Sequence, residues 1–156
     1  CIRDSSFLFP VFVIGLLALV VPITAVMLAP DRDADEAAAD RAEAAGVVAD
    51  AILIDPTHDF GKNTHHGLAL LRHVNILVNT GRPVLMALSN KDFVGETLGV
   101  GLEDRLEGTL AATALAASAG ARVFRAHEVA ATRRVVDMVA AIAGTRPPQR
   151  TVRGLA

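Results

Sequence analysis

The chain has 156 residues, a formal net charge of −2 and a single cysteine, Cys1. This length is enough for one domain with a packed core. The charge gives no indication of a nucleic-acid partner, and one cysteine excludes an internal disulfide framework and allows a reducing compartment. Because the first residue is Cys and not Met, we expect the chain to be a fragment of a longer protein.

The first predicted element is an apolar segment. Residues 7–29 are 23 consecutive uncharged, mostly apolar positions, long enough for a hydrophobic helix that spans a membrane. Pro10 and Pro22 are tolerated in such helices. The alternative is a misjoined stretch at the edge of a fragment. We therefore assign residues 1–30 as a hydrophobic segment separate from the rest of the chain.

An acidic, alanine-rich stretch at residues 30–46 is predicted to form a helix, with Pro30 at its start and Gly46 at its end. After it, three apolar runs at 52–54, 84–88 and 122–124 lack polar alternation, as strands of a parallel sheet do. A helical pattern follows each run. The apolar positions of the three helices are Leu70, Leu71, Val74, Leu77 and Val78; Leu102, Leu106, Leu110 and Ala117; and Val129, Val135, Val136, Val139 and Ile142.

The predicted fold class is therefore α/β, with three strand–loop–helix units in residues 31–145 and a basic tail at 146–156. Three such units leave a parallel sheet with open edges. We expect further strands, or a partner, to cover the apolar surface that these edges expose.

A polar cluster follows each predicted strand. The clusters lie at residues 55–63, 89–92 and 125–128. Loops at the carboxyl ends of parallel strands converge on one site. The pattern therefore predicts that a carboxylate, an ammonium, a guanidinium and an imidazole meet there.

Each cluster contains candidate binding residues. Asp55 can accept two parallel N–H bonds from a planar edge such as guanidinium or the amino-pyrimidinone of a pterin or guanine. Lys91 can donate to a ring carbonyl or nitrogen, or to phosphate. Arg125 and His127 alternate at a strand end, point the same way and precede a helix, which favours an anion such as pyrophosphate. The alternatives are a loop or capping aspartate, an exposed lysine and a structural Arg–carboxylate pair.

Other side chains in the clusters are weaker candidates. Phe60 can cover a planar ring or anchor its loop, and Ser89 and Asn90 are further candidate contacts. Alone, Lys62 is typical of an ordinary surface lysine. The spacing of His65, His66 and His73 does not indicate a zinc site.

These motifs resemble the dihydropteroate synthase family. The family pattern has a DPGFGFGK-like loop, a GxSRKSFIG-like loop and an RVHDV-like strand end. The corresponding text here is DPTHDFGKN at 55–63, ALSNKDFVGETLG at 87–99 and RAHEV at 125–129, with a family-like helix at 105–122. The resemblance covers roughly residues 36–145 and is strongest to the divergent second paralogue of mycobacteria.

The resemblance implies that the chain is the last three units of a (β/α)₈ barrel, a pterin-binding TIM barrel. It implies a cytoplasmic transferase of folate biosynthesis that joins 6-hydroxymethyl-7,8-dihydropterin diphosphate to p-aminobenzoate. Asp55 and Lys91 would bind the pterin, and Arg125 and His127 the pyrophosphate. Mg²⁺ would neutralise the leaving group, with its ligand in an earlier part of the barrel. The full-length protein would be a homodimer, and the fragment alone would be inactive.

The chain also departs from the family pattern. Thr57, His58 and Asp59 replace Gly-Phe-Gly, Asn90 replaces an Arg, and Asp92 replaces a Ser near the second substrate. An acid at that position would repel the carboxylate of p-aminobenzoate. The alternative hypothesis is therefore a paralogue that binds a pterin or phosphate without catalysis. Membrane association through residues 7–29 is a third hypothesis.

Overall fold

The computed structural model describes residues 20–22, 32–58 and 60–154. Along these residues four strands alternate with six helices, as the sequence predicts for the α/β class. In chain order the elements are β1 (Val20–Pro22), α1 (Arg32–Ala44), β2 (Leu53–Asp55), α2 (Thr64–Arg72), α3 (Val74–Val78), β3 (Leu85–Met86), α4 (Asp92–Leu98), α5 (Leu106–Ser118), β4 (Val123–Phe124) and α6 (Val129–Ile142). Short 3₁₀ turns occupy Ala49–Ala51 and Leu102–Asp104.

The four strands are parallel and neighbour one another in chain order. β1 pairs with β2, and β3 pairs with β4. A parallel bridge between Ile54 and Val84 joins the two pairs, and the Ile54 N–H donates to the Pro83 carbonyl at 2.9 Å. This sequential order is that of a barrel wall, whereas the strand order of a doubly wound sheet reverses at one point.

The core lies between the strands and the helices that follow them. Its buried side chains come from β2, α3, β3, α4 and α5. They are Ile54, Val74, Leu77, Val84, Met86, Leu88, Phe93, Val94, Ala112, Ala116 and Ala121. Ile54 and the predicted apolar run at 84–88 thus supply its centre, and Ile52 packs in a second cluster with Ala39 and Ala42. The prediction of buried strands is confirmed for these two runs, whereas Val123 and Phe124 of β4 are half-buried.

The hydrophobic helix predicted across residues 7–29 is wrong for the three residues of that segment that the structure describes. Val20–Pro22 form β1, with Val20 opposite Leu53 and Pro22 opposite Asp55. Two β-branched valines favour extended backbone, and proline can occupy the end of a strand. The rest of the predicted segment lies outside the described residues. No helix in the described ranges combines the length and apolar character needed to cross a membrane.

The helix predicted after β3 is two helices. α4 ends at Gly99, which has a φ of 68°, and α5 begins at Leu106. The buried face of α5 carries Thr109, Ala112, Thr113 and Ala116, whereas Leu102 is exposed. The predicted face is therefore wrong for Leu102, which lies in the turn before α5, whereas Leu106, Leu110 and Ala117 are half-buried beside the small buried residues.

The last helix has the predicted extent, since α6 spans Val129–Ile142. Of the residues predicted to form its apolar face, Val129 and Ile142 are exposed. Its buried residue is Thr132, and the helix as a whole packs against α5. The surface expected to need further cover therefore includes this helix.

Candidate functional site

The three polar clusters follow the carboxyl ends of β2, β3 and β4. We call them the β2 loop (residues 56–63), the β3 loop (residues 87–91) and the β4 loop (residues 125–128). Since the strands are parallel neighbours, the loops leave the same edge of the sheet. The predicted convergence of the clusters is confirmed at the level of the fold.

The β2 loop begins with a fixed carboxylate. Asp55 Oδ1 accepts the backbone N–H of Thr57 at 2.8 Å. Thr57 is buried and has a φ of 48°, a left-handed conformation that threonine rarely adopts. The aspartate therefore caps its own loop, which was the alternative to ligand binding, and this contact also sets the direction of its carboxylate.

The Lys62 ammonium forms hydrogen bonds with other residues of the β2 loop. Its Nζ donates to Thr57 O at 3.2 Å, to Thr57 Oγ1 at 3.2 Å and to Phe60 O at 3.3 Å. An ammonium has three protons, so these contacts use its full donor capacity. Burial lowers the pKa of Lys62, and the Asp55 carboxylate partly offsets that change. The interpretation of Lys62 as an ordinary surface lysine is therefore wrong.

The two rings of this loop have opposite environments. Phe60 is 70% exposed, so it does not anchor the loop in the core and is available to cover a ligand ring. His58 is 4% exposed and lies against Phe93 of α4, with ring centroids 5.8 Å apart. No role for His58 follows from the sequence, because its position in a polar cluster conceals its burial. Asp59 lies outside the described residues.

The β3 loop is built around Ser89 and Asn90. The Ser89 hydroxyl accepts the backbone N–H of His127 at 3.1 Å. Asn90 Nδ2 donates to Glu128 Oε1 at 3.3 Å. Both residues are candidate ligand contacts by sequence, and the structure uses both to join the β3 loop to the β4 loop. Lys91 directly precedes α4 and is half-buried.

Arg105 supports the β3 loop, and sequence reasoning missed it. It donates to Asn90 O at 2.8 Å and to Asp92 Oδ1 at 2.9 Å. Its guanidinium lies across Gly95, where an added Cβ would be 2.4 Å from Nε. Asp92 is exposed at 81% of its side chain, but its charge is paired. No sequence signal links Arg105 to Gly95 of α4.

The β4 loop presents both predicted anion-binding side chains. Arg125 and His127 are exposed and alternate along the chain directly after β4. The Arg125 N–H donates to Met86 O at 3.1 Å, so the backbone of the loop start is part of the sheet. Glu128 precedes α6 and faces Asn90. The structure therefore places the loop that carries this guanidinium and this imidazole beside the β3 loop.

The described residues contain no group of three His, Cys, Asp or Glu side chains that could hold a metal ion. What they offer is a carboxylate, an ammonium, a guanidinium and an imidazole at one sheet edge, which suits a ligand with a planar donor edge and an anionic group.

Comparison with a family model finds a match to "Pterin binding enzyme" at residues 30–127. A Mycobacterium leprae protein named "Inactive dihydropteroate synthase 2" is 78% identical over 120 residues, which are 77% of this chain and 41% of that protein. The chain spans between 38% and 41% of the length of the first curated relatives that it matches.

Two solved structures extend the comparison. Mycobacterium tuberculosis Rv1207 is 67% identical, with a TM-score of 0.59 over 72% of this chain and 42% of the other. A Coxiella burnetii dihydropteroate synthase in complex with pteroic acid is 34% identical, with a TM-score of 0.66 over 70% of this chain and 41% of the other. These likenesses and the strand order fit a fragment of a (β/α)₈ barrel, and they confirm the resemblance found from the motifs.

Proposed function

This chain belongs to the pterin-binding enzyme family, and from that premise we propose that the longer protein containing it binds 6-hydroxymethyl-7,8-dihydropterin diphosphate. Asp55 would bind the amino-pyrimidinone edge and Lys91 the ring. Arg125 and His127 would hold the diphosphate. The Coxiella relative, whose structure contains pteroic acid, supports a pterin as the ligand class.

The observation that carries this proposal is the hydrogen bond from the His127 N–H to Ser89 Oγ. It brings the loop that bears Lys91 against the loop that bears Arg125 and His127. A ring contact and a diphosphate contact then lie on adjoining loops, as one ligand with both groups requires. Asp55 lies on the neighbouring strand β2, at the same sheet edge.

We further propose that the protein does not condense this ligand with p-aminobenzoate. Asn90, which stands where the family pattern has an arginine, bonds within the protein through its backbone N–H, its backbone carbonyl and its side-chain Nδ2. Thr57, which stands where the pattern has glycine, is buried in a left-handed turn. The Mycobacterium leprae relative carries the word "inactive" in its name. Together these features support binding without turnover.

Asp92 could repel the carboxylate of p-aminobenzoate, but its ion pair has to be considered together with this repulsion. The ion pair with Arg105 at 2.9 Å offsets part of its charge, although the carboxylate is mostly exposed and screened by solvent. We propose that this acid disfavours a carboxylate-bearing second substrate only weakly. The loss of the family arginine at position 90 would then be the larger change.

A second candidate function is the synthase reaction itself, which the exposed Arg125 and His127 favour. In that reaction the aniline nitrogen of p-aminobenzoate bonds to the methylene carbon of the pterin, and the bond from that carbon to the diphosphate oxygen breaks. The Arg125 guanidinium and the N–H of the His127 imidazole would stabilise the charge that develops on the departing diphosphate. Mg²⁺ stays a family-level expectation, with its ligand expected in an earlier part of the barrel.

The remaining family features are proposals of the same kind. We propose that the described strands are consecutive strands of an eight-stranded barrel. We also propose that the longer protein is a cytoplasmic homodimer. We also propose that the 156-residue chain alone is inactive, since it spans 38–41% of its curated relatives.

Two assays on the full-length protein separate the candidates. Calorimetry with 6-hydroxymethyl-7,8-dihydropterin diphosphate measures binding, and a product assay with p-aminobenzoate measures dihydropteroate. Saturable binding without product supports the proposed function. Robust product formation would establish the synthase instead, and no binding heat would reject both.

A further inference from the structure

Asn90 makes three polar contacts with residues that are distant in sequence. Its N–H donates to Thr109 Oγ1 at 3.1 Å, and its carbonyl oxygen accepts a hydrogen bond from Arg105 Nη1 at 2.8 Å. Its side-chain Nδ2 donates to Glu128 Oε1 at 3.3 Å. One residue therefore connects the β3 loop with the region that starts α5 and with the residue that precedes α6.

The partners of Asn90 are themselves fixed. Thr109 is 1% exposed, and its carbonyl accepts the Thr113 hydroxyl at 2.8 Å. The Glu128 carbonyl accepts the Thr132 N–H at 2.9 Å in the first turn of α6. The contacts of Asn90 are thus made to residues at the starts of α5 and α6.

The backbone conformation and the contact with Glu128 both restrict the residue type at position 90. Asn90 has a φ of 55°, and asparagine tolerates this left-handed region better than most residues with a side chain. Only a short amide at this φ both fits the turn and offers a donor to Glu128. The other carboxylate oxygen, Glu128 Oε2, is buried without a hydrogen-bond partner among the described residues. Glu128 therefore depends on the Asn90 amide, since a partly desolvated carboxylate is costly to leave without donors.

We infer that Asn90 is a positioning residue that fixes Lys91 relative to Arg125 and His127. Lys91 follows Asn90 directly, and His127 precedes Glu128 directly, so the amide–carboxylate bond spans the gap between the proposed ring-binding and diphosphate-binding groups. This inference rests on the proposed function, and it assigns Asn90 to geometry, whereas by sequence alone this residue is a candidate ligand contact.

The test uses the full-length protein with Asn90→Gly. Glycine accepts the left-handed φ and keeps the backbone bonds to Thr109 and Arg105, so this variant removes only the amide that reaches Glu128. Glu128→Ala removes the same bond from its other end. Asn79→Gly, in the exposed turn after α3, is the matched control for loss of an asparagine side chain.

Two ligands separate positioning from general damage: the dihydropterin with its diphosphate, and 6-hydroxymethyl-7,8-dihydropterin without it. We expect Asn90→Gly and Glu128→Ala each to weaken binding of the diphosphate form about five- to tenfold, within the range of a typical net hydrogen bond. The form without diphosphate should change much less. The double variant should be no weaker than either single variant, because both remove one bond. Equal losses for both ligands, or additive losses, would overturn the inference.

A second measurement needs no ligand. Amide hydrogen exchange of His127, whose N–H donates to Ser89 Oγ, reports whether the two loops stay together. We expect Asn90→Gly to accelerate this exchange, and Asn79→Gly to leave it unchanged. Unchanged exchange in Asn90→Gly would overturn the inference. If the parental protein binds neither ligand, the proposed function fails, and this exchange rate alone decides whether Asn90 holds the loops.

Discussion

The backbone N–H of His127 donates to the hydroxyl oxygen of Ser89 at 3.1 Å, across 38 residues of sequence. Ser89 is 9% exposed, so water does not readily replace this bond. The contact joins the loops that follow β3 and β4, and the amide of Asn90 joins them again one residue later. Lys91, Arg125 and His127 thus lie on a pair of loops that two hydrogen bonds connect.

Replacing Ser89 with alanine tests the first of these connections. The variant leaves the His127 N–H without its acceptor in a half-buried site. We expect the free energy of unfolding to fall by about 1–2 kcal/mol, the range for a lost hydrogen bond with an unsatisfied partner. Urea unfolding of the parental and variant proteins measures the difference.

Ser118→Ala is the matched control, because Ser118 is the exposed last residue of α5. It should change stability by less than about 0.5 kcal/mol, as surface substitutions usually do. Equal effects of the two variants would show that the Ser89–His127 bond adds nothing to the stability of the loop pair.

Gly95 tests the support of the β3 loop by Arg105. In Gly95→Ala the new Cβ would lie 2.4 Å from Arg105 Nε, so the guanidinium must move. The side chain is flexible, so the steric cost is small, but the bonds to Asn90 O and Asp92 Oδ1 would be lost. We expect a loss of about 1–2 kcal/mol in the free energy of unfolding, measured by urea.

Two further variants test whether the loss in Gly95→Ala comes from Arg105. Gly101→Ala should not destabilise, because nothing lies within 4 Å of the position that its Cβ would take. Once Arg105→Ala is present, Gly95→Ala should add no further loss, since the displaced group is already gone. A full penalty from Gly95→Ala in that background would reject the role of Arg105.

Lys62 predicts a pH dependence. Burial lowers the pKa of Lys62 from 10.5, with the Asp55 carboxylate as a smaller opposing effect. Between the lowered pKa of the folded protein and 10.5, the unfolded chain binds more protons than the folded one, so the free energy of unfolding rises with pH there. The parental protein should therefore gain stability relative to Lys62→Met as the pH approaches 10.5. Urea unfolding in a pH series measures the gain, and parallel pH profiles for the two proteins would contradict it.

Much of the fold could be predicted because its signals are local. Uninterrupted apolar runs mark β2 and β3, and the glycines at 46 and 120, which have φ values of 93° and 107°, mark helix ends. The apolar pattern of Leu70, Val74 and Leu77 matches their burial, although the single helix expected there breaks at His73 into α2 and α3. Segments with one dominant local preference are thus predictable from sequence.

The rest depends on tertiary contacts that no local pattern encodes. Val20–Pro22 pairs with a strand more than thirty residues later, and so an apolar run with the length of a helix contributes β1. Thr109 is an ordinary helix position by sequence but receives the Asn90 N–H. Arg105 lies across Gly95 and ties the β3 loop. The site residues were recognisable by type, but their partners became visible only in the structure.

The central claim is that Arg125 and His127 bind the diphosphate of a pterin ligand while Asp55 binds its ring. The most direct measurement is calorimetry of the full-length protein and its Arg125→Ala variant, with 6-hydroxymethyl-7,8-dihydropterin in its diphosphate and unphosphorylated forms. We expect saturable binding of the diphosphate form, weakened about tenfold or more by Arg125→Ala, with the unphosphorylated form unaffected by the substitution. The claim would be contradicted if the parental protein did not bind the diphosphate form. It would also be contradicted if Arg125→Ala bound the diphosphate form as tightly as the parental protein does.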